Sequence, residues 1–343
     1  MRSNAHFSGL LKPLPSEAFS AWLGRGVRTQ NPEPFRRALG CLKAQGVKDA
    51  DGHLPQTVVE ELSRLLGLSG ESLRQSFLLP GDWLKAPAEV RLQFCEHCLL
   101  NDFCSGRQPT PRVNWFYWWF TVCPVHASVL LEEDSTSAPA ALLASVRFEL
   151  SLGIFSKWAP LQSSWHFAYG RLLYMALFFQ CWYQTFVQRG TCIIGNVELA
   201  ASVAEVELVM GDILAIIGKK RSYPFDQRSL VAELLDIRSW CSLRSDLPPE
   251  AGCEPFLCLD VGEHPVCTRM AMFALLGLLL KLPRCVHMWR LGRGWVIDGD
   301  VERQWQRMLN DAVRVPSYQA WFRQRSDCWS APTRAHFRYL LED

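Results

Sequence analysis

Two short pairs of metal-ligand residues, close together in the sequence, constrain most strongly how this chain can fold. Two residues separate Cys95 from Cys98 and Cys123 from His126, and the second pair begins 25 residues after the first ends. Thiolate sulfur and imidazole nitrogen are preferred ligands of Zn²⁺, and two such knuckles close a tetrahedron around one ion. Four protein ligands leave no position for a reactive water. The spacing therefore predicts one structural Zn²⁺ whose binding energy contributes to folding.

Other ligand sets compete with this one. Cys104 lies close enough in the sequence to replace His126, which would give four sulfur ligands, and the two pairs can also be unrelated buried thiols. His97 lies between two ligands, where we expect its side chain to point away. A second, irregularly spaced set consists of Cys253, Cys258, His264 and Cys267.

Six consecutive aromatic residues, Trp115 to Phe120, lead into the second knuckle. A strand that is apolar on both faces must be covered on both faces, so the run predicts a buried strand that fastens the zinc module to a larger helical body. The alternative is an aromatic platform for stacking bases, but no basic residues interleave with the rings. Arg107 and Arg112 precede the run in a loop, where they can contact a phosphate backbone or remain solvated.

The N-terminal region has the pattern of short helices between polar turns. Ser16 is the expected N-cap of the first helix and Gly24 its expected end. Within residues 57–79, apolar residues at helical spacing are interrupted at Gly67 and then resume, which is the outline of a helix-turn-helix. Arg64 and Arg74 in this pair are candidate contacts to DNA or to a partner protein.

The rest of the chain is predicted to be helical as well. LEEDSTSAPA, residues 131–140, is a candidate linker, and one short strand is expected over residues 256–261. The most apolar run, Met270 to Leu280, would rise only about 16 Å as a helix, so we expect a buried helix and no membrane span. The predicted fold is mainly α: a helical N-terminal region at 1–90, a small zinc-knuckle module at 91–135 and a helical C-terminal domain at 142–343.

Composition narrows the functional class only slightly. The formal net charge of +2 over 343 residues gives no overall signal for nucleic-acid binding. The N-terminus lacks a signal-peptide pattern, so we expect a cytoplasmic protein whose thirteen cysteines are mostly reduced. No phosphate-binding glycine loop, nucleophile elbow or HExxH motif occurs, and Asp298-Gly299-Asp300 lacks the glutamate of a calcium loop. We therefore do not expect an enzyme.

Four segments together resemble the TniQ/TnsD family of transposon target-selection proteins. PLPSEAFSAWL at 13–23 is similar to the family's opening, and LGLSGESL at 66–73 to its helix-turn-helix region. RLQFCEHCLLND at 91–102 and CPVHASVLL at 123–131 are similar to its two zinc knuckles. The chain departs from the family pattern at Glu96, where a proline is usual, and after Leu131, where a further Cys-x-x-Cys often follows.

The resemblance implies a non-catalytic adaptor of bacterial DNA transposition, acting at the nucleoid. Such proteins read a target, either by binding DNA directly or by docking on a CRISPR RNA-guided Cascade complex. They then recruit the AAA+ regulator TnsC, which brings in the transposase, and some act as head-to-tail homodimers. The resemblance assigns Cys95, Cys98, Cys123 and His126 as zinc ligands. The alternative is a TnsD-like sequence-specific DNA-binding protein or a zinc-containing transcriptional regulator.

Overall fold

The predicted mainly α fold is confirmed by a computed structural model of the chain. The structure describes residues 7, 9–77, 81–133, 159–194, 197–218, 229, 231, 261–291 and 316–338. Its helices are α1 Phe19–Gly26, α2 Glu33–Ala44, α3 Gln56–Leu66, α4 Gly70–Phe77, α5 Glu96–Cys104, α6 Ala159–Arg189, α7 Val203–Gly218, α8 Val266–Leu279, α9 Pro283–Arg290, α10 Pro316–Asp327 and α11 Ala331–His336. Its strands are β1 Gln93–Phe94, β2 Val122–Cys123, β3 Ser128–Val129, β4 Leu131–Glu132, β5 Cys192–Ile194 and β6 Val197–Leu199.

The strands of the described residues form antiparallel pairs. β1 pairs with β4, β2 with β3, and β5 with β6. By its internal contacts the chain divides into two compact units, residues 1–120 with 130–161 and residues 121–129 with 162–343. These units do not coincide with the three segments expected from the sequence, whose independence as folding domains stays a prediction.

Helices α1 to α4 build the apolar core of the first unit. Trp22 lies at its centre, fully buried, with the rings of Phe35 and Phe77 at centroid distances of 5.0 and 4.8 Å. The predicted helix pair is present as α3 and α4, which pack against each other. Gly67 ends α3 in the left-handed conformation, with φ of 65°, which a residue without Cβ adopts at little cost. The interruption in the apolar pattern therefore marks a real turn.

The predicted bounds of the first helix are wrong. α1 begins at Phe19 and continues past Gly24 to Gly26. Ser16 does not cap it, because its backbone has φ of 57° and its carbonyl accepts a hydrogen bond from Val113 N–H at 2.8 Å. Glu17 is buried and forms an ion pair with Arg25, with Oε2 and Nη2 2.7 Å apart. The segment before the helix is thus used for tertiary contacts within the first unit.

The aromatic run is buried as predicted, but it is not a strand. Residues Val113–Phe116 form a 3₁₀ turn, and only Tyr117 makes a single bridge, to Lys85. Backbone bonds join the run to a preceding loop: Ala86 N–H donates to Phe116 O at 2.7 Å, and Trp118 N–H donates to Leu84 O at 2.8 Å. By curling against this loop the chain buries successive rings without the cover on two faces that a strand requires.

The second unit has its own core, built around α6, α7 and α8. Nearly every side chain of α8 is buried, which confirms the predicted buried helix at 270–280.

Among the described residues no single helix has the length and apolarity to cross a membrane; only the pair α8 and α9 passes such a test together, and it is bent by 106°. The linker expected over 131–140 does not begin at Leu131, because Leu131–Glu132 form β4, and Val261, the end of the expected strand, begins a 3₁₀ turn. Residues 134–140 and 256–260 and Asp298-Gly299-Asp300 lie outside the described residues.

Candidate metal centre

The first knuckle surrounds the start of helix α5. Cys95 occupies the N-cap position with an extended backbone, and Cys98 lies in the first helical turn. Three residues along a helix bring two side chains to the same face, so both sulfurs point to one side of the helix start. The partial positive charge at a helix N-terminus also favours the thiolate form that binds metal.

The second knuckle is the turn of a short hairpin. Cys123 ends β2 and pairs with Ser128 at the start of β3, so that residues 124–127 form the turn between them. Pro124 suits this position because its ring fixes φ near the value that a turn requires. His126 follows within the turn, and its Nδ1 lies 3.5 Å from Cys123 Sγ. The two donor atoms thus meet on one side of the hairpin.

The structure brings all four predicted ligands together. One donor atom from each of Cys95, Cys98, Cys123 and His126 lies within 4.8 Å of every other. In a tetrahedral zinc site, sulfur atoms are roughly 3.8 Å apart, and sulfur and nitrogen roughly 3.6 Å, from the usual bond lengths. The distance of 3.5 Å between Cys123 Sγ and His126 Nδ1 fits these values, and the other donor atoms lie within 4.8 Å of one another. The cluster can therefore hold one metal ion, in a set of three sulfurs and one nitrogen.

Cys95 and Cys123 are buried, whereas Cys98 and His126 are partly exposed. In binding one ion, this arrangement would fill all four corners of a tetrahedron with protein side chains and would fasten the two turns together. It does not offer the open coordination position that metal-assisted hydrolysis requires.

Gln180 of α6 holds the hairpin and was not singled out in the sequence. Its Oε1 accepts hydrogen bonds from Thr121 N–H at 2.8 Å and Val122 N–H at 2.9 Å, and its Nε2 donates to Val122 O at 2.9 Å. The side chain is 1 % exposed and acts as a substitute strand partner for β2. The sequence contains a sign of this role, since Gln180 is a polar residue within the apolar helical stretch FFQCWY. A buried amide needs partners, and these lie just before Cys123.

Two further residues of the resembling segment form internal ion pairs. Arg91 pairs with Asp49 through both guanidinium Nη atoms and donates Nε–H to Ala86 O at 3.0 Å. Asp102, at the far end of α5, accepts two bonds from Arg112 at 2.9 and 2.7 Å. These pairs fix both flanks of the first knuckle. Of the two candidate phosphate contacts, Arg112 is paired with Asp102, and Arg107 Nε lies 3.8 Å from the same carboxylate. Contact of either arginine with a phosphate backbone stays a prediction.

The competing ligands lie outside the cluster. His97 Nε2 is 3.7 Å from Glu96 Oε1, whose pKa is raised by burial, and Cys104 is exposed at the end of α5. The cluster thus contains His126 and not Cys104. Of the irregular second set, Cys253 and Cys258 lie outside the described residues. His264 and Cys267 belong to no metal cluster among the residues that the structure describes.

Comparison of the chain with protein-family models, with curated proteins and with solved structures finds no match.

Proposed function

We propose that the four-residue cluster binds one structural Zn²⁺ and that the chain is a non-catalytic adaptor. The observation that carries this proposal is the convergence of three sulfur atoms and one imidazole nitrogen from two knuckles. Zinc is the metal that such a donor set favours, and closed sites of this kind stabilise a fold. An ion in such a closed site takes no part in a reaction, so the role proposed for it is to hold the two turns together.

The resemblance of residues 13–23, 91–102 and 123–131 makes the proposal more specific. In this reading the chain is a TniQ-like adaptor in the bacterial cytoplasm, in contact with target DNA directly or through a CRISPR RNA-guided Cascade complex. It links that complex to the AAA+ regulator TnsC and so to the transposase. Arg91 and Asp102, which the resemblance includes, have structural partners in Asp49 and Arg112, so both support the knuckle and not a reaction.

The metal proposal is tested by elemental analysis of the purified full chain. We expect about one zinc per chain, and we expect the Cys123→Ser variant to lose it, because a serine hydroxyl is a poor zinc ligand. Cys104→Ser is the matched control: it removes an exposed thiol nearby and should keep the zinc. Loss of zinc in Cys104→Ser with retention in a His126→Ala variant would instead support four sulfur ligands.

The adaptor proposal is tested by co-purification. The tagged full chain should retain the AAA+ regulator and any Cascade complex encoded beside its gene, whereas the zinc-free Cys123→Ser variant should not. Retention of neither partner by the zinc-loaded protein, or a gene neighbourhood without transposase genes, would contradict the adaptor role. That result would leave the metal assignment intact.

Direct DNA reading is the second candidate, because α3 and α4 form a helix-turn-helix pair. The charges of the pair do not favour it: exposed Glu60 and Glu71 and half-buried Glu61 give three negative charges against two positive charges from exposed Arg64 and Arg74. Arg64 is paired with Glu61 at 2.5 Å, and Arg74 donates to Gln56. Binding of a specific duplex by the purified chain, weakening steeply with salt, would favour this candidate over docking on a protein complex.

A further inference from the structure

The first unit contains a cleft that none of the roles above uses. It has a volume of about 600 Å³ and lies between α1, α2, the loop 47–51 and the proline-rich loop 108–111. Most of its wall is apolar, with Leu39, Leu42, Val47, Pro109 and Pro111 among the residues that line it. Leu39 is 39 % exposed at the rim, so an apolar surface is open to solvent here. Concave sites of this size and lining are typical ligand or peptide sites.

Three cationic side chains surround this apolar wall. Arg28, Lys43 and Lys48 line the cleft and are exposed. None of the three forms an ion pair with a carboxylate of the described residues, and Arg28 Nη1 donates instead to the neutral amide of Gln108 at 2.7 Å. That bond crosses from the end of α1 to the proline-rich loop and holds one positive charge at the edge of the cleft.

The two carboxylates of the cleft do not offset these charges. The charge of Asp49 is neutralised by its ion pair with Arg91. Burial by itself would raise the pKa of Asp49, but the hydrogen bonds and positive charge of the Arg91 guanidinium outweigh this effect, so the pKa is lowered. Asp51 is buried and accepts hydrogen bonds from Ser20 N–H at 3.0 Å and from Ser20 Oγ at 2.5 Å. Its carboxylate therefore points to α1 and not to the cleft opening. The surface that a ligand meets is apolar in the centre and positive at the edge.

We propose that this cleft binds an acidic peptide segment of a partner protein, with apolar side chains in the centre and carboxylates on Arg28, Lys43 and Lys48. Apolar anchors in a concave site supply most of the affinity of such contacts, and charges at the rim select the partner and speed its association. A nucleic-acid backbone fits less well, because it offers repeated phosphates and no aliphatic side chains for the apolar wall. The proposal depends neither on the metal nor on transposition.

The test uses the zinc-loaded full chain and fluorescence anisotropy. The probes are a set of short labelled peptides in which Glu and Asp flank each combination of three apolar residues. We expect members of this set to bind with Kd in the micromolar range, and the Kd to rise with ionic strength as exposed charges are screened. Replacing the apolar centre by serine, or the acidic flanks by lysine, should abolish binding at the same concentrations.

Charge-reversal variants locate the site. The double variant Lys43→Glu, Lys48→Glu should weaken the best peptide at least tenfold. The control Arg36→Glu reverses a single charge at an exposed position of α2 that does not line the cleft, and it should change the Kd less than about threefold at physiological salt, because screening weakens more distant charges. All of these side chains are exposed, so the variants should fold.

Three outcomes would overturn the proposal. One is that no member of the set binds better than its lysine-flanked counterpart. Another is that Lys43→Glu, Lys48→Glu and Arg36→Glu reduce binding equally. The third is that a labelled single-stranded oligonucleotide binds in a Lys43- and Lys48-dependent manner while every acidic peptide fails. None of these outcomes affects the zinc measurement on Cys123→Ser.

Discussion

Asp49 and Arg91 show how a single ion pair stabilises the neighbourhood of the first knuckle. The Arg91 side chain is only 6 % exposed, and it pairs with Asp49 of the loop 47–51, which lies 42 positions earlier in the sequence. An arginine at this depth needs its carboxylate, because a buried charge without a partner is costly. The pair therefore fixes the loop 47–51 against the segment that leads into Cys95.

We predict that Asp49→Asn lowers the free energy of unfolding by about 2–3 kcal/mol at pH 7, somewhat less than the roughly 3–5 kcal/mol for a fully buried pair. The pKa of Asp49 is lowered from its ordinary value of 3.8, so the pair stabilises the fold above that value. This contribution disappears as the pH falls through the lowered pKa. Urea unfolding of both proteins at pH 7 and at about pH 3 measures the difference, which should shrink in acid.

Glu33→Gln is the control for this prediction. It breaks the ion pair between Glu33 and Arg37, whose side chains are 56 % and 65 % exposed, so it should change stability little. An equal effect of Asp49→Asn and Glu33→Gln at pH 7 would show that burial of Arg91 is unimportant.

At the scale of secondary-structure elements, one helix completes a hairpin that is too short to be stable alone. β2 and β3 contain two residues each, and an isolated two-stranded ribbon is at best marginally stable in water. Gln180 of α6 forms hydrogen bonds with two N–H groups and one carbonyl at the start of β2. These bonds fix the backbone of the hairpin just before Cys123.

We predict that Gln180→Leu destabilises the protein by about 2–4 kcal/mol, because it leaves these buried backbone groups without partners. It should also weaken zinc binding, since part of the binding energy must then order the hairpin. Chemical denaturation and a competition assay with a zinc chelator measure the two effects. Gln188→Leu, at an exposed position of the same helix, is the control and should change neither quantity appreciably. Unchanged zinc affinity in Gln180→Leu would separate the hairpin from metal binding.

At the scale of the whole molecule, we expect different regions of the chain to depend on the proposed metal to different degrees. The four helices α1 to α4 pack around fourteen buried apolar side chains, among them Trp22, Phe35 and Phe77. That much apolar burial stabilises a helical region without an ion. The turns at 95–98 and 123–126 are short, so we expect their conformation to depend on the ion that their own side chains bind.

We predict that removal of zinc by a chelator exposes these turns locally and leaves the helical core folded. Hydrogen exchange should speed up in peptides that cover 94–104 and 121–129, while those that cover α1 to α3 keep their protection. Readdition of Zn²⁺ should restore slow exchange. Equal loss of protection in α1 to α3 would mean that the ion supports the whole first unit and not only the knuckles.

The sequence by itself determined the features that arise from residues near one another. A Cys-x-x-Cys at a helix start and a Cys-Pro-x-His turn place their donor atoms by local geometry, which is why the four residues predicted as ligands lie together in one cluster. Helical periodicity and a left-handed glycine likewise located α3, α4 and the turn at Gly67. The tertiary structure alone decided the rest. Gln180 acts on Thr121 across 59 positions, the aromatic run curls because residues 84–86 lie beside it, and Arg107 and Arg112 turn to Asp102. These contacts depend on which distant segments pack together, and that packing cannot be predicted from a local pattern of residue types.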